Sequence, residues 1–78
     1  MRSWNEFKKN TFEISVSDDE TAFLYKDKLR WVFEVRLNDK PMADGTMIQL
    51  KAWSKRKAVV EGSKAYVDYC HGKSLNNG

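Results

Sequence analysis

The sequence is poor in the residues that staple or punctuate a small fold. It has one cysteine, so no disulfide can form within the chain, and one histidine. A lone thiol suits a reducing compartment, and the expected location is the cytoplasm. Proline occurs once, at Pro41, and glycine four times, which excludes collagen-like and Gly/Pro-rich disordered classes. No apolar run exceeds four residues. Crossing a bilayer takes about 20, so no membrane partner is expected. Met1-Arg2-Ser3-Trp4-Asn5-Glu6 has no apolar stretch behind its basic residue and does not read as a signal peptide.

Catalytic patterns are missing too. There is no glycine-rich phosphate loop. Cys70 and His71 are adjacent, and consecutive helical residues point about 100° apart, which defeats a thiolate–imidazole pair. With no second Cys–His pair they cannot complete a tetrahedral zinc site. Asp18-Asp19-Glu20 lacks the ligand pattern of a calcium loop and reads as a solvated turn. The expectation is a non-enzymatic protein with no metal and no cofactor.

What is present suits a folded domain. The chain has 78 residues, of which 41% are hydrophobic, 32% charged and 13% aromatic. This allows a single domain over 1–73, with 74–78 as a mobile tail. A chain this short hides roughly 60% of its unfolded surface, so its core is thin. The net charge of +3 is unevenly spread: residues 1–25 carry −2 and residues 26–78 carry +5. In the last third, Lys51, Lys55, Arg56, Lys57, Lys64 and Lys73 face only Glu61 and Asp68. This asymmetry suits an anionic partner.

Periodicity predicts an α+β fold. Ser3-Trp4-Asn5-Glu6 reads as a capping box, opening a short N-terminal helix that Asn10 and Thr11 end. Phe12 to Val16 alternates like a half-buried strand, and Thr21 to Tyr25 is a second strand. Arg30 to Leu37 is the clearest strand: Trp31, Phe33, Val35 and Leu37 share the core face, and Val32, Glu34 and Arg36 share the other. Asn38-Asp39-Lys40-Pro41 breaks it, and Asp44-Gly45 is a further turn. Thr46 to Trp53 resumes alternation, with Ile48, Leu50 and Ala52 inward and Met47, Gln49, Lys51 and Trp53 opposite. Ser54 is a helix N-cap. Ala58, Gly62, Ala65, Tyr66 and Tyr69 then form a stripe suited to lying on a sheet, and Gly72 is a stop signal. The expected architecture is an antiparallel sheet of three or four strands with a long C-terminal helix across one face. Glu34, Arg36, Gln49, Lys51 and Trp53 then show on the other.

Lys55-Arg56-Lys57 falls in the first turn of that helix. The positive dipole end and the unpaired amides there disfavour cations by a few tenths of a kcal/mol each. A bound phosphate reverses that sign. The alternative is three solvated side chains, with Glu61 pairing weakly with Lys57. Trp53, beside Lys51 and Lys55, either stacks on a base, anchors a protein partner, or packs over the helix start.

Ser54-Lys55-Arg56-Lys57-Ala58, followed by Gly62-Ser63-Lys64-Ala65, resembles the start of the second helix of double-stranded RNA-binding domains. Asn5-Glu6-Phe7 is similar to part of that family's first helix, and Phe33-Glu34-Val35-Arg36-Leu37-Asn38 to its central strand. The Gly-Pro-x-His of the family's first loop is absent; Tyr25-Lys26-Asp27-Lys28 stands near that place. The resemblance implies that Lys55, Arg56 and Lys57 grip phosphates. It also implies that Asn5 and Glu6 touch a minor groove, with recognition by duplex shape.

Two functions remain open. The first is a nucleic-acid-binding module that reads duplex backbone and shape through Lys51, Trp53, Lys55, Arg56, Lys57, Lys64 and Arg36. The second is a small protein-binding inhibitor or adaptor, of the kind phages and mobile elements use to block a host enzyme or defence complex.

Overall fold

The structure is a computed structural model and describes residues 3–38, 40–41 and 47–76. Among the described residues, six strands and one helix follow in order: β1 (Asn5–Lys8), β2 (Thr11–Ser15), β3 (Glu20–Asp27), β4 (Arg30–Leu37), β5 (Lys40–Pro41), β6 (Met47–Gln49) and α1 (Lys55–Asn76). β1 to β4 form an antiparallel meander. β5 and β6 are both antiparallel to β4, against Arg36–Leu37 and Val32–Glu34 respectively, so together they make one interrupted edge. The sheet is therefore five strands wide, and α1 covers one face.

Local chemistry explains the meander. Asn10, Lys28 and Asn38 have φ of 58°, 59° and 53°, and each stands at a chain reversal. Asparagine tolerates this left-handed region because its short side chain can bond locally. Lys28 has no such excuse and sits in a two-residue loop with Leu29 between Asp27 and Arg30. Pro41 is accommodated in β5 because an edge strand can spare a donor.

Three expectations are corrected. The sheet is wider than three or four strands. Among the described residues there is no N-terminal helix: Asn5-Glu6-Phe7 lies in β1. Glu6 does not cap a turn; its carboxylate accepts from the Asn10 amide at 3.1 Å, across the β1–β2 reversal. The β1–β2 hairpin forms here instead, because a helix of that length cannot persist without packing. Nor does Gly72 end the C-terminal helix, which runs on to Asn76. The Asp44-Gly45 turn, Thr46, and 77–78 of the expected tail lie outside the described residues.

The core lies between sheet and helix. Phe12, Ile14, Ala22, Leu24, Trp31, Phe33, Val35, Leu50, Ala52 and Ala58 are buried there. Full burial of each large side chain contributes roughly 1.5–3 kcal/mol. The helical stripe closes on the sheet as its small residues predict. A Cβ at Gly62 would meet both Leu24 methyls at 3.0 Å, so any larger residue would require the buried Leu24 to give way by a few tenths of an ångström. The rim is polar but bonded. Trp4 Nε1 donates to Ser63 Oγ at 2.9 Å, and Tyr66 Oη donates to the Ser15 carbonyl at 2.9 Å. Tyr69 Oη donates to Glu20 Oε2 at 2.7 Å, which takes Glu20 out of the solvated turn expected of it and buries it.

The other face also differs from expectation. Glu34 was expected to face solvent but is only 3% exposed. Arg36 covers it, with Nη2 3.0 Å from Glu34 Oε1, and Tyr25 Oη donates to the same oxygen at 3.0 Å. Leu37 and Ile48, expected inward, are half exposed because they stand at a strand end and a sheet edge.

Candidate nucleic-acid interface at the helix start

The helix begins where the sequence places it. Ser54 Oγ accepts from the Lys57 amide at 3.3 Å, and the Ser54 carbonyl accepts from the Ala58 amide at 2.9 Å. This is an N-cap with one of the orphan amides satisfied. The first turn holds no acidic residue. Its three cations, however, do not act alike. Lys55 Nζ lies 2.8 Å from Glu6 Oε2 and 5.6 Å from the Phe12 ring centroid. The Lys55 ammonium and the Asn10 amide hold the Glu6 carboxyl below the usual glutamate range. Lys55 is thus turned toward the β1–β2 hairpin. Arg56 and Lys57 are exposed, and among the described residues neither has a carboxylate within 4.0 Å.

The chain leading into the helix adds to this surface. Trp53 is 81% exposed, so it does not pack over the helix start. It shares a shallow cleft of about 330 Å³ with Lys51, Ala52, Leu29 and Arg30. The cleft joins the β3–β4 turn to the segment before α1. That apposition follows from sheet register: the Leu50 amide donates to the Trp31 carbonyl at 2.8 Å, which sets Arg30 beside residues 51–53. Glu61 Oε1 accepts from the Lys51 amide at 3.1 Å and braces the same segment from the helix. The Glu61 side chain therefore steadies backbone here instead of pairing with Lys57.

The structure brings Lys51, Trp53, Arg56 and Lys57 to one end of the molecule, with Lys55 alongside but engaged by Glu6. Lys64 lies two helical turns beyond Lys57 on the same helix face, where it lines a separate groove with Phe33, Ile48 and Leu50. Arg36 does not join them. It lies on the sheet face away from α1, 4.8 Å over the Phe23 ring. Its hydrogen bond to the Glu34 carboxylate, which accepts from Nη2, raises its pKa above the ordinary arginine value.

Sequence reading passed over Arg30 and Leu29. The available signal was register: a strand beginning at Arg30 and pairing with one that ends before Lys51 must bring its turn beside Trp53. Among the described residues, no three His, Cys, Asp or Glu side chains gather as a metal site, and no helix is long and apolar enough to cross a membrane.

No family model matches this chain, and no curated protein or solved structure matches it either.

Proposed function

We propose that this chain is a non-enzymatic nucleic-acid-binding module of the cytoplasm. It holds a duplex by its phosphate backbone at the N-terminal end of α1. The single observation that carries this reading is the exposed Arg56–Lys57 pair, without a carboxylate within 4.0 Å among the described residues, in a helical turn free of acidic residues and directly after Trp53, 81% exposed in a cleft with Lys51 and Arg30. Exposing an indole forgoes the burial such a side chain normally gains, so an unoccupied role in packing is not its explanation. Cations beside it supply counterion release on binding a polyanion, and the flat ring supplies contact with sugar or an end base. Arg56 and Lys57 correspond to the phosphate grip implied by the resemblance to double-stranded RNA-binding domains. Asn5 and Glu6 do not carry over, because they stand in a strand and Glu6 is engaged with Lys55.

The test is a titration with duplex RNA, duplex DNA and single strands at two salt concentrations, followed at each backbone amide. Binding that weakens steeply with salt and shifts amides at 51–57 is expected. Unchanged affinity in an Arg56→Glu, Lys57→Glu variant overturns the reading.

One observation favours a second reading, the small protein-binding inhibitor or adaptor of phage or mobile-element type. Leu29 is 82% exposed next to Trp53, and a leucine gains nothing from a phosphate backbone. An aromatic anchor with an aliphatic neighbour and a basic rim suits an acidic protein surface. Co-purification of a stoichiometric, nuclease-insensitive protein partner would select it.

A further inference from the structure

We propose that the groove between β6 and α1 binds an extended peptide, which adds to the sheet as a strand beside β6. This surface is separate from the cationic end of the helix and does not depend on the reading given for it.

The backbone register carries the argument. The Leu50 amide donates to the Trp31 carbonyl, so Trp31 and Leu50 form a hydrogen-bonded pair. Antiparallel pairs alternate, so Phe33 and Ile48 are bonded as well, while Gln49 opposite Val32 and Met47 opposite Glu34 are not. Met47 and Gln49 therefore turn their N–H and C=O groups away from β4. Among the described residues, β6 pairs with β4 alone. Each outward residue offers one donor and one acceptor, which only another extended backbone can match in sequence.

The side chains say what that backbone carries. Ile48 lies opposite Phe33 and shares its face of the sheet. Both line a groove of about 610 Å³ with Leu50, Ala65 and Tyr69. A strand laid along β6 directs alternate side chains into this groove, and its apolar floor takes apolar ones. The helix side carries the charge. Glu61 and Asp68 flank Lys64 along the lip. Asp68 is exposed, and among the described residues it has no cation within 4.0 Å. The lip is net negative in a basic protein, so the complementary peptide has a basic residue beside its apolar ones. The occupant is an extended segment of a partner protein with alternating apolar residues and a lysine or arginine facing Asp68.

The experiment selects a displayed random heptapeptide library on the whole chain, then measures each recovered peptide against three variants. Gln49→Pro removes one outward N–H without removing any bond to β4, and proline is tolerated on an edge strand. Ala65→Met fills the groove, and Asp68→Lys reverses the lip. Thermal unfolding of each variant checks that the fold is kept. The expected result is a set of peptides with apolar residues at alternate positions and a basic residue, weakened at least about tenfold by each variant. Slowed hydrogen exchange at the Met47 and Gln49 amides is expected in the bound state. Recovery of no peptide above background overturns the proposal, as does a set indifferent to Gln49→Pro. Self-association of the chain that Gln49→Pro abolishes would overturn it differently, by assigning the edge to a second copy.

Discussion

Lys55 Nζ stands 2.8 Å from Glu6 Oε2, so the first residue of the helix is tied to the first strand of the sheet. This contact satisfies one of the three cations that crowd the positive end of the helix. It also occupies the lysine that a phosphate at that end would otherwise use.

The first prediction concerns this tie. Glu6→Gln releases Lys55 and makes it available to a polyanion. Duplex affinity should rise, and the slope of log affinity against log salt should steepen by about 0.9, the increment for one additional phosphate contact. The same tie responds to acid. The Glu6 carboxyl is held below its usual range in the folded protein. Its contribution is therefore complete above the ordinary glutamate value and lost as pH falls through the lowered one. Backbone chemical shifts of Glu6 and Lys55 across an acid titration would report the loss. An unchanged salt slope in the variant would show that Lys55 stays out of the interface.

Gly62 and Gly72 should respond oppositely to the same substitution. Both are helical, so alanine gains about 1 kcal/mol of propensity at either site. At Gly72 a Cβ meets nothing within 4 Å, and Gly72→Ala should raise stability by about 0.5–1 kcal/mol. At Gly62 the Cβ meets both Leu24 methyls at 3.0 Å, and Leu24 is fully buried beneath the helix. Overpacking of about 1–3 kcal/mol then outweighs propensity, leaving a net loss on the order of 1 kcal/mol. Urea midpoints of the two variants check both signs.

These positions also show how far sequence reasoning reaches. Alternation located Arg30–Leu37 to the residue, because its core-facing side chains recur at every second position, although Val32 and Glu34 on the other face are buried too. The Ser54 cap and the Ala58–Gly62–Ala65 stripe located the start and the buried face of α1, though not its end. The N-terminus was misread because Ser3-Trp4-Asn5-Glu6 satisfies a helix-start pattern locally. What decides its structure is distant: Phe7 against Phe23, and Trp4 against Phe33 and Tyr66. The candidate site was legible in its helical part, where charges are consecutive. Arg36 was grouped with the helix start but stands on the other face of the sheet, because alternation gives a face but not whether a helix start shares it. Arg30 was missed because its place beside Trp53 depends on strand register.

Tyr25 offers a pH prediction on the opposite face. Burial, then its hydrogen bond to Glu34, raise its pKa above the ordinary tyrosine value. Below that ordinary value both folded and unfolded chains keep the proton, and the contribution is complete. As pH rises past it, the unfolded chain loses its proton first, so stability falls as pH climbs toward and through the raised value. Glu34→Gln should bring the Tyr25 ionisation part of the way back, read by absorbance at 295 nm against a Tyr25→Phe control. It should also cost about 1–2 kcal/mol, between the values for exposed and fully buried pairs, because Arg36 is 34% exposed and can turn to water.

Trp53 separates duplex from single-strand binding. At 81% exposure its removal leaves little unburied that was buried, so Trp53→Ala should change stability by no more than about 0.5 kcal/mol. Its effect on affinity depends on the ligand. Stacking on an unpaired base is worth about 1–3 kcal/mol, so a single-strand binder loses roughly five- to 150-fold. A duplex hides its base faces and is held by phosphates, so the same substitution should then cost less than about threefold. Arg56→Glu with Lys57→Glu should instead cost more than about tenfold and flatten the salt slope by about 1.8, for two lost phosphate contacts. The two measurements rank the aromatic and cationic contributions directly. If Trp53→Ala proves the costlier change, the surface reads unpaired bases, and duplex shape is not what it recognises.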